Sequence, residues 1–337
     1  METDKLAGLQ VARACAAIGI AYFHSWRVTM QFPKGTDYPI PLLQNYGGFA
    51  VDFFFAISGF VICMVVTKPR FEPVSFLIRR AFRLYPLWIA TSFVLAYIYT
   101  KYIGWPPDST KAFFVYSLTL LPTEAYPFFD VGWSLQHEMA FYVIATLIAP
   151  RLGLPGLLAF LVIGAACDHA FDLPWYLHRY AFFYPNFIAG IAAFLVFRHV
   201  RQLGFLLPFL LGLAALYVAN HWIGRLGFPL GWFLLLIGFV NIRFNPDSLV
   251  ERLGIALGDA SYSIYLFHPL VFSYVYAKLG AYLPPIWTQE PIRYASIALV
   301  CGLAVLSWRF FETPMNRLGA RLAKRTQSRL GAQPQPG

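Results

Sequence analysis

Two ionisable residues stand eleven positions apart in the otherwise apolar stretch RACAAIGIAYFHS, residues 13–25. On a helix that spacing is close to three full turns, so Arg13 and His24 share one face, about 16 Å apart along the axis. A lipid-facing helix cannot hold such groups cheaply; each needs a cavity or a partner. An imidazole in this setting suits general-base or covalent group transfer. Asp52, in GGFAVDFFFAISGFVI, falls at the membrane level of His24 and is the residue type that fixes an imidazole tautomer and raises its basicity. Glu138, in DVGWSLQHEMAFYVI, is a second carboxylate about one turn inside an apolar run. By i,i+4 spacing it shares a face with Ser134 and with Phe141 or Tyr142. Arg79, Arg80 and Arg83, in FLIRRAFRLYPLW, offer another chemistry: Arg79 and Arg83 share a face and can hold a phosphorylated ligand.

Each feature also has a plainer explanation. His24 would serve as a packed interfacial histidine and Arg13 as a snorkelling terminal arginine. Asp52 would serve as a helix cap, Ser134 as an N-cap or packing residue, and the arginines as an ordinary basic joint. Glu138 resists this treatment, because a carboxylate in lipid must face the bundle. In GDASYSIYLFHPLV (258–271), Asp259 and Ser261 read as helix-start residues, while Tyr262, Tyr265 and His268 read as bundle-lining. His268 would partner the backbone carbonyl freed by Pro269. In SWRFFETPMNR (307–317), Glu312 and Thr313-Pro314 read as a helix stop, with Glu312 pairing Arg309. The other histidines show no ligand spacing, and there is no CxxC, HExxH or Gly-rich phosphate loop. Cys15, Cys63, Cys167 and Cys301 are scattered through apolar segments and suggest neither a disulfide framework nor a metal site. The expectation is therefore no metal and no tightly bound cofactor.

The elements that must position these groups are membrane helices. Of 337 residues 58% are hydrophobic and only 12% charged, about half the charged share of a soluble domain. The net charge of +10 gathers in short joints between apolar runs, which argues against nucleic acid as a partner. The pattern predicts an all-α, polytopic bundle of ten helices, near 9–28, 46–66, 84–101, 133–150, 153–167, 181–198, 203–220, 227–242, 260–279 and 292–311. FFVYSLTLL, at 113–121, reads as an interfacial or re-entrant piece. METDKLAGLQ lacks a basic region and cleavage site, so the first run reads as a retained helix rather than a signal peptide. Lysine and arginine concentrate in alternate joints, in residues such as Lys68, Arg70, Arg151, Arg198, Arg243 and Arg252 and in the C-terminal tail. The other joints hold few, among them Lys34, Lys111, Arg179 and Arg225. That bias puts both termini in the cytoplasm. Residues 1–316 then form the membrane domain and 317–337 a basic tail, amphipathic or frayed and then disordered, ending in GAQPQPG. No internal repeat of the transporter kind is evident.

Residues alone leave enzyme and transporter close. A resemblance separates them. LQVARACAAIGIAYFH (9–24), GFAVDFFFAISGF (48–60), FLIRRAFRLYPLW (76–88), VGWSLQHEMAFY (131–142), LGDASYSIYLFHPLV (257–271) and FFETP (310–314) occur in this order over nearly the whole chain. Together they resemble the membrane-bound acyltransferase-3 family, which O-acylates bacterial cell-surface polysaccharides. The GWSLxxEMxFY string and the short length look most like its exopolysaccharide O-acetyltransferase branch. The family pattern RxxAxxxVxxxH falls on Arg13, Ala16, Ile20 and His24, with isoleucine in place of valine. The aspartate before the FF and SGF string falls on Asp52, the arginine pattern on Arg79, Arg80 and Arg83, and the WSL and glutamate pattern on Trp133, Ser134, Leu135 and Glu138. His137 beside Glu138 departs from the usual pattern and leaves the acceptor pocket open.

The resemblance implies a multi-pass protein of the bacterial cytoplasmic (inner) membrane. Its donor would be acetyl-CoA, or another acyl-CoA, as co-substrate. Its acceptor would be a sugar hydroxyl of a surface polysaccharide or lipid-linked oligosaccharide. Membrane lipids and polysaccharide assembly proteins are the implied neighbours. Arg79, Arg80 and Arg83 would hold the CoA phosphates and Arg13 would line the donor path. His24 would act as base, oriented by Asp52 or Glu138, or be acylated in a ping-pong path. Trp133, Ser134 and Tyr142 would shape the substrate side. Two other function classes stand against this: a glycolipid or small-anion transporter or flippase, and a non-catalytic scaffold for polysaccharide assembly.

Overall fold

The apolar runs fold as helices. A computed structural model describes residues 3–27, 47–68, 71–242, 245, 247–279 and 289–331. Lys34, Arg70, Arg243 and the segment beyond Gly331 lie outside the described residues. Within them are thirteen α-helices and no β-strand. In chain order they are α1 Thr3–Arg27, α2 Ala50–Val66, α3 Pro73–Ile98, α4 Lys111–Ser117, α5 Gly132–Ala170, α6 Trp175–Ala181 and α7 Tyr184–Val196. These are followed by α8 Leu206–Val218, α9 Phe228–Val240, α10 Leu249–Asp259, α11 Ser261–Leu279, α12 Gln289–Ser307 and α13 Thr313–Gly331.

Among the described residues, six stretches are long and apolar enough to cross a membrane: Gly47–Val66, Pro73–Ile103, Gly132–Ala170, Trp175–Val196, Leu206–Ile223 and Pro291–Ser328, with Arg225–Val240 shorter. The protein is thus a membrane-embedded helical bundle, but length and apolarity alone mark six segments rather than ten. One difference is that α1 and α11, expected as crossings, are not among the six. They carry Arg13 and His24, and Ser261, Tyr262, Tyr265 and His268, polar groups that lower the apolarity of these two helices. Another is that α5 is one apolar run of 39 residues, broken at Gly153 (φ 65°) between Pro150 and Pro155. Glycine takes that positive φ without strain. Both limbs of α5 return to the same short helix, α6. His137 Nε2 lies 2.8 Å from the Arg179 carbonyl oxygen, and His178 Nδ1 lies 2.7 Å from Asp168 Oδ1. The chain therefore reverses at Gly153, where the sequence places a joint between two helices.

Two expectations need correction. α3 starts at Pro73, a favourable first-turn proline, and not near residue 84. Arg79, Arg80 and Arg83 consequently ride on the helix itself, and Pro86 lies inside it. The expected stop at 312–314 is not a stop. α12 passes through a π-helical turn, Trp308–Glu312, directly into α13. A widened turn accommodates Pro314, which brings no N–H to the ladder. Glu312 is buried and accepts a hydrogen bond from Ser263 Oγ, while the Arg309 guanidinium stands 5.7 Å from the Phe310 ring centre.

Close crossings set the frame around the site. A β-carbon on Gly190 would fall 1.8 Å from the Ala56 oxygen, and one on Gly59 would fall 2.3 Å from the Phe187 oxygen. α2 and α7 therefore meet backbone to backbone, as small residues permit in membranes. The apolar run at 113–121 forms α4 and a following turn that lie beside the middle of α3. There Tyr85 Oη donates to the Thr119 carbonyl (2.7 Å) and Trp88 Nε1 to that of Leu118 (3.3 Å). α13 lies along α3: Ser75 Oγ donates to the Ala323 carbonyl at 3.0 Å, and Gly319 seats on Phe82. The end of the bundle holding the start of α3, the Gly153 bend and α13 carries Lys68, Arg79, Arg151, Arg317, Arg321 and Lys324. It is called the basic end below, and its opposite the far end.

Candidate active site

Three cavities adjoin along the bundle. At the basic end, one of about 430 Å³ is lined by Lys68, Arg79, Arg80 and Arg83, with Glu72 as the single acid among the described residues there. Arg80 and Arg83 also line the next, a waist of about 80 Å³ that contains Arg13, Ser134, Glu138 and Tyr142. Val51 and Tyr265 form the partition between this waist and a far-end cavity of about 550 Å³, lined by His24, Asp52, Asp130, Trp133 and Arg225.

α3 builds the basic chamber from consecutive turns, which is why three arginines enter one space. The Arg80 guanidinium lies 5.0 Å from the Phe76 ring centre and 4.9 Å from that of Tyr142. Such stacking holds the planar cation in place without neutralising it.

The waist is polar and closely bonded. Glu138 accepts from Ser58 Oγ at 3.2 Å and from Tyr142 Oη. Arg13 Nε donates to Ser261 Oγ at 3.1 Å. Ser134 Oγ and Tyr265 Oη are 2.8 Å apart, and Tyr265 Oη also donates to the Val131 carbonyl at 2.9 Å. Three arginines and one glutamate leave this space net positive. Its volume takes a handful of water molecules or a stretch of a narrow chain.

In the far chamber, Asp52 is 3% exposed and pairs with Arg225 Nη2 at 3.3 Å. Arg225 is itself held over Phe182 (4.2 Å) and Phe183 (4.7 Å). The His24 ring packs against that of His268, with centres 5.0 Å apart. His268 is fully buried; its Nδ1 faces the Ile264 carbonyl at 3.3 Å, and its Nε2 has no hydrogen-bond partner among the described residues. Asp130 precedes α5 and accepts from the Val131 N–H at 2.8 Å.

The residues singled out from sequence are thus distributed along one path. Arg79, Arg80 and Arg83 lie at the basic end, Arg13, Ser134, Glu138 and Tyr142 at the waist, and His24, Asp52 and Trp133 at the far end. Arg13 and His24 do share a face, since both meet α11, at Ser261 and at His268. The two carboxylates part company: Glu138 sits among arginines, with the partition between it and the His24 chamber. His137 does not line these cavities. Its ring nitrogens lie 2.6 Å from the Trp133 oxygen and 2.8 Å from the Arg179 oxygen, so it ties α5 to α6. Sequence reasoning passed over Arg225 and Asp130. The signal for Arg225 was present: a lone arginine in a short joint where the charge bias leaves few.

Comparisons with known proteins identify the family. The family described as "Acyltransferase domain" matches residues 6–308. The exopolysaccharide production protein ExoZ of Rhizobium meliloti (strain 1021) is 32% identical over 300 residues, covering 81% of this chain and 90% of that protein. Proteins of Staphylococcus aureus strains COL and MSSA476, provisionally named O-acetyltransferases, are 25% identical over 368 residues. These alignments cover 93% of this chain and 58% of those relatives. No solved structure matches.

Proposed function

This chain belongs to the acyltransferase family whose domain spans residues 6–308, and from that premise we propose that it moves an acyl group from a cytoplasmic acyl-CoA to a sugar hydroxyl of an exopolysaccharide or its lipid-linked precursor. Acetyl is the proposed acyl group, and the bacterial cytoplasmic (inner) membrane the proposed site. The observation that carries the proposal is the run of adjoining cavities, cationic at one end and holding a histidine at the other.

The charge bias supports a cytoplasmic basic end. There Arg79, Arg80 and Arg83 bind the CoA phosphates through charge-assisted hydrogen bonds. The pantetheine arm threads the waist past Arg13 and brings its thioester to the far chamber. The waist suits such a chain because it is narrow and hydrogen-bonded along its walls. The acceptor enters from the far side, where Trp133 offers a face on which a sugar ring can stack. His24 removes the hydroxyl proton as that oxygen bonds to the thioester carbonyl carbon. The C–S bond then breaks, and the departing thiolate takes up a proton. His268 orients the His24 ring by packing. Asp52 holds Arg225 at the acceptor side, and Glu138 holds the waist in register through Ser58 and Tyr142.

Mass and linkage analysis of the surface polysaccharide, with and without the protein, tests this. The expected result is loss of one O-linked acetyl in the deletion strain. An unchanged acylation pattern overturns the proposal; loss of a heavier acyl group changes the donor and keeps the class. Rapid quench with labelled acetyl-CoA and no acceptor separates direct transfer from an acyl-histidine, since only the latter labels the protein. A transporter reading would also use a transmembrane path; it predicts substrate movement with the acylation pattern unchanged.

A further inference from the structure

The basic chamber is walled on two sides, and the second wall comes from outside the matched domain. α3 supplies the arginines. Facing them are Asn316, Ala320 and Gln327, all from α13, which begins at Thr313, five residues beyond the end of the domain match at 308. These three recur at intervals of four and seven, so they lie along one helical stripe about 16 Å long. The adjoining face is different in kind: Arg317, Arg321, Lys324 and Arg325 are exposed. α13 thus turns its neutral amides into the cavity and its cations outward. A helix serving only to bind acidic lipid would have no reason to line a cavity with carboxamides. Nor is it loosely attached, since the Ser75–Ala323 hydrogen bond and the Gly319–Phe82 seat hold it to α3.

The composition of this chamber differs from a bare phosphate site. Arginine and lysine read phosphate. Asparagine and glutamine each present a donor pair and an acceptor on one planar group, the pattern that matches the edge of an adenine. An aromatic platform is also present: Phe71 lines the cavity and packs on Phe76 with ring centres 5.6 Å apart. A stacking face, amide groups and a cationic wall around about 430 Å³ are the parts a nucleotide needs.

We infer that α13 completes a nucleotide subsite for an adenosine 3′,5′-bisphosphate moiety, in which Gln327, at the Phe71 end of the stripe, reads the adenine, Asn316, at the other end, bonds the ribose, and Arg79 and Arg83 hold the phosphates. The inference rests on the acyl-CoA reading above and extends it: donor recognition depends on a helix beyond the family domain. The same cationic wall could take a lipid phosphate or free phosphate, so the test separates those sources.

The experiment uses the full chain in nanodiscs of zwitterionic lipid, with labelled adenosine 3′,5′-bisphosphate as the probe. Wild-type protein is expected to bind it. Asn316→Leu and Gln327→Leu are each expected to weaken binding by about tenfold, with unchanged affinity for inorganic phosphate. In the transfer assay the same variants raise KM for acetyl-CoA and leave kcat intact. They have no effect with a short acetyl thioester lacking the nucleotide, a pattern that general damage to the fold would not give. If Arg79→Ala abolishes probe binding while the two α13 variants bind normally, the inference is overturned and the donor reading stands. If wild-type protein does not bind the probe, both fall. Displacement of bound probe by phosphatidylglycerol or millimolar inorganic phosphate, with the α13 variants unchanged, identifies a phosphate-only site and overturns the inference.

Discussion

The two end chambers are of similar size and opposite character. The basic one sets Lys68, Arg79, Arg80 and Arg83 against a single glutamate. The far one balances Asp52 and Asp130 against Arg225, with His24 and several aromatic rings beside them. The first attracts a strongly anionic group and gives it no acid–base partner. The second is near neutral and holds the histidine. A reaction joining an anionic donor to a neutral hydroxyl needs that separation, because cations gathered around an imidazole would disfavour the imidazolium that general-base catalysis forms. The narrow waist keeps the two environments apart while leaving room for a thin arm.

Variants at the two ends should therefore fail in different ways. His24→Ala should have the largest effect, a fall of about 10³-fold or more in transfer, roughly 4 kcal/mol of transition-state stabilisation. Donor binding should remain intact, as equilibrium titration would show. Should this variant keep full activity, the far chamber is not the reaction site and the comparison fails. Val51→Trp comes next. It fills the partition between waist and far chamber, and should cut transfer by about 10²-fold while donor binding changes little. A matching loss of donor binding would mean that the waist is not a passage.

Arg83→Ala should raise KM for acyl-CoA by roughly 10- to 100-fold, the scale of one charged hydrogen bond of about 1.5–3 kcal/mol, and leave kcat nearly unchanged. An effect confined to kcat would move Arg83 from capture to chemistry. His268→Gln should lower kcat by about tenfold and shift its pH profile, because the His24 ring loses its neighbour; KM for donor should hold. Steady-state kinetics across pH checks both features. The smallest change belongs to Arg225→Lys, expected to raise acceptor KM a few-fold, since lysine cannot reproduce the stacked, planar contact with Phe182 and Phe183. An altered donor KM in this variant would blur the division between the ends.

Much of the site was legible along the chain because helical spacing is local. Arg13 and His24 share a face by arithmetic, and Arg79 with Arg83 likewise. Partners were harder. Asp52 looked like a companion for His24 because the two lie at one depth, yet depth leaves the azimuth open. The structure puts both in one chamber and pairs the Asp52 carboxylate with Arg225, 173 positions away, a partner that depth could not name. Glu138 was recognised as facing the bundle, but its neighbours Ser58 and Tyr142 come from packing and from its own helix respectively. The expected stop at Thr313-Pro314 failed for a related reason: proline ends a regular α-helix, and a π turn just before it removes the conflict.

By itself, then, the sequence determined the all-helical membrane class, the family, and which side chains occupy a common stripe, because burial in lipid forces backbone satisfaction within each helix and that rule acts locally. Only the tertiary structure decided how those stripes meet. Helix rotation and close crossings, such as those of Gly59 on Phe187 and Gly190 on Ala56, are set by contacts between distant segments. They determine that Glu138 sits with arginines, that His24 sits with His268, and that α13 closes the basic chamber.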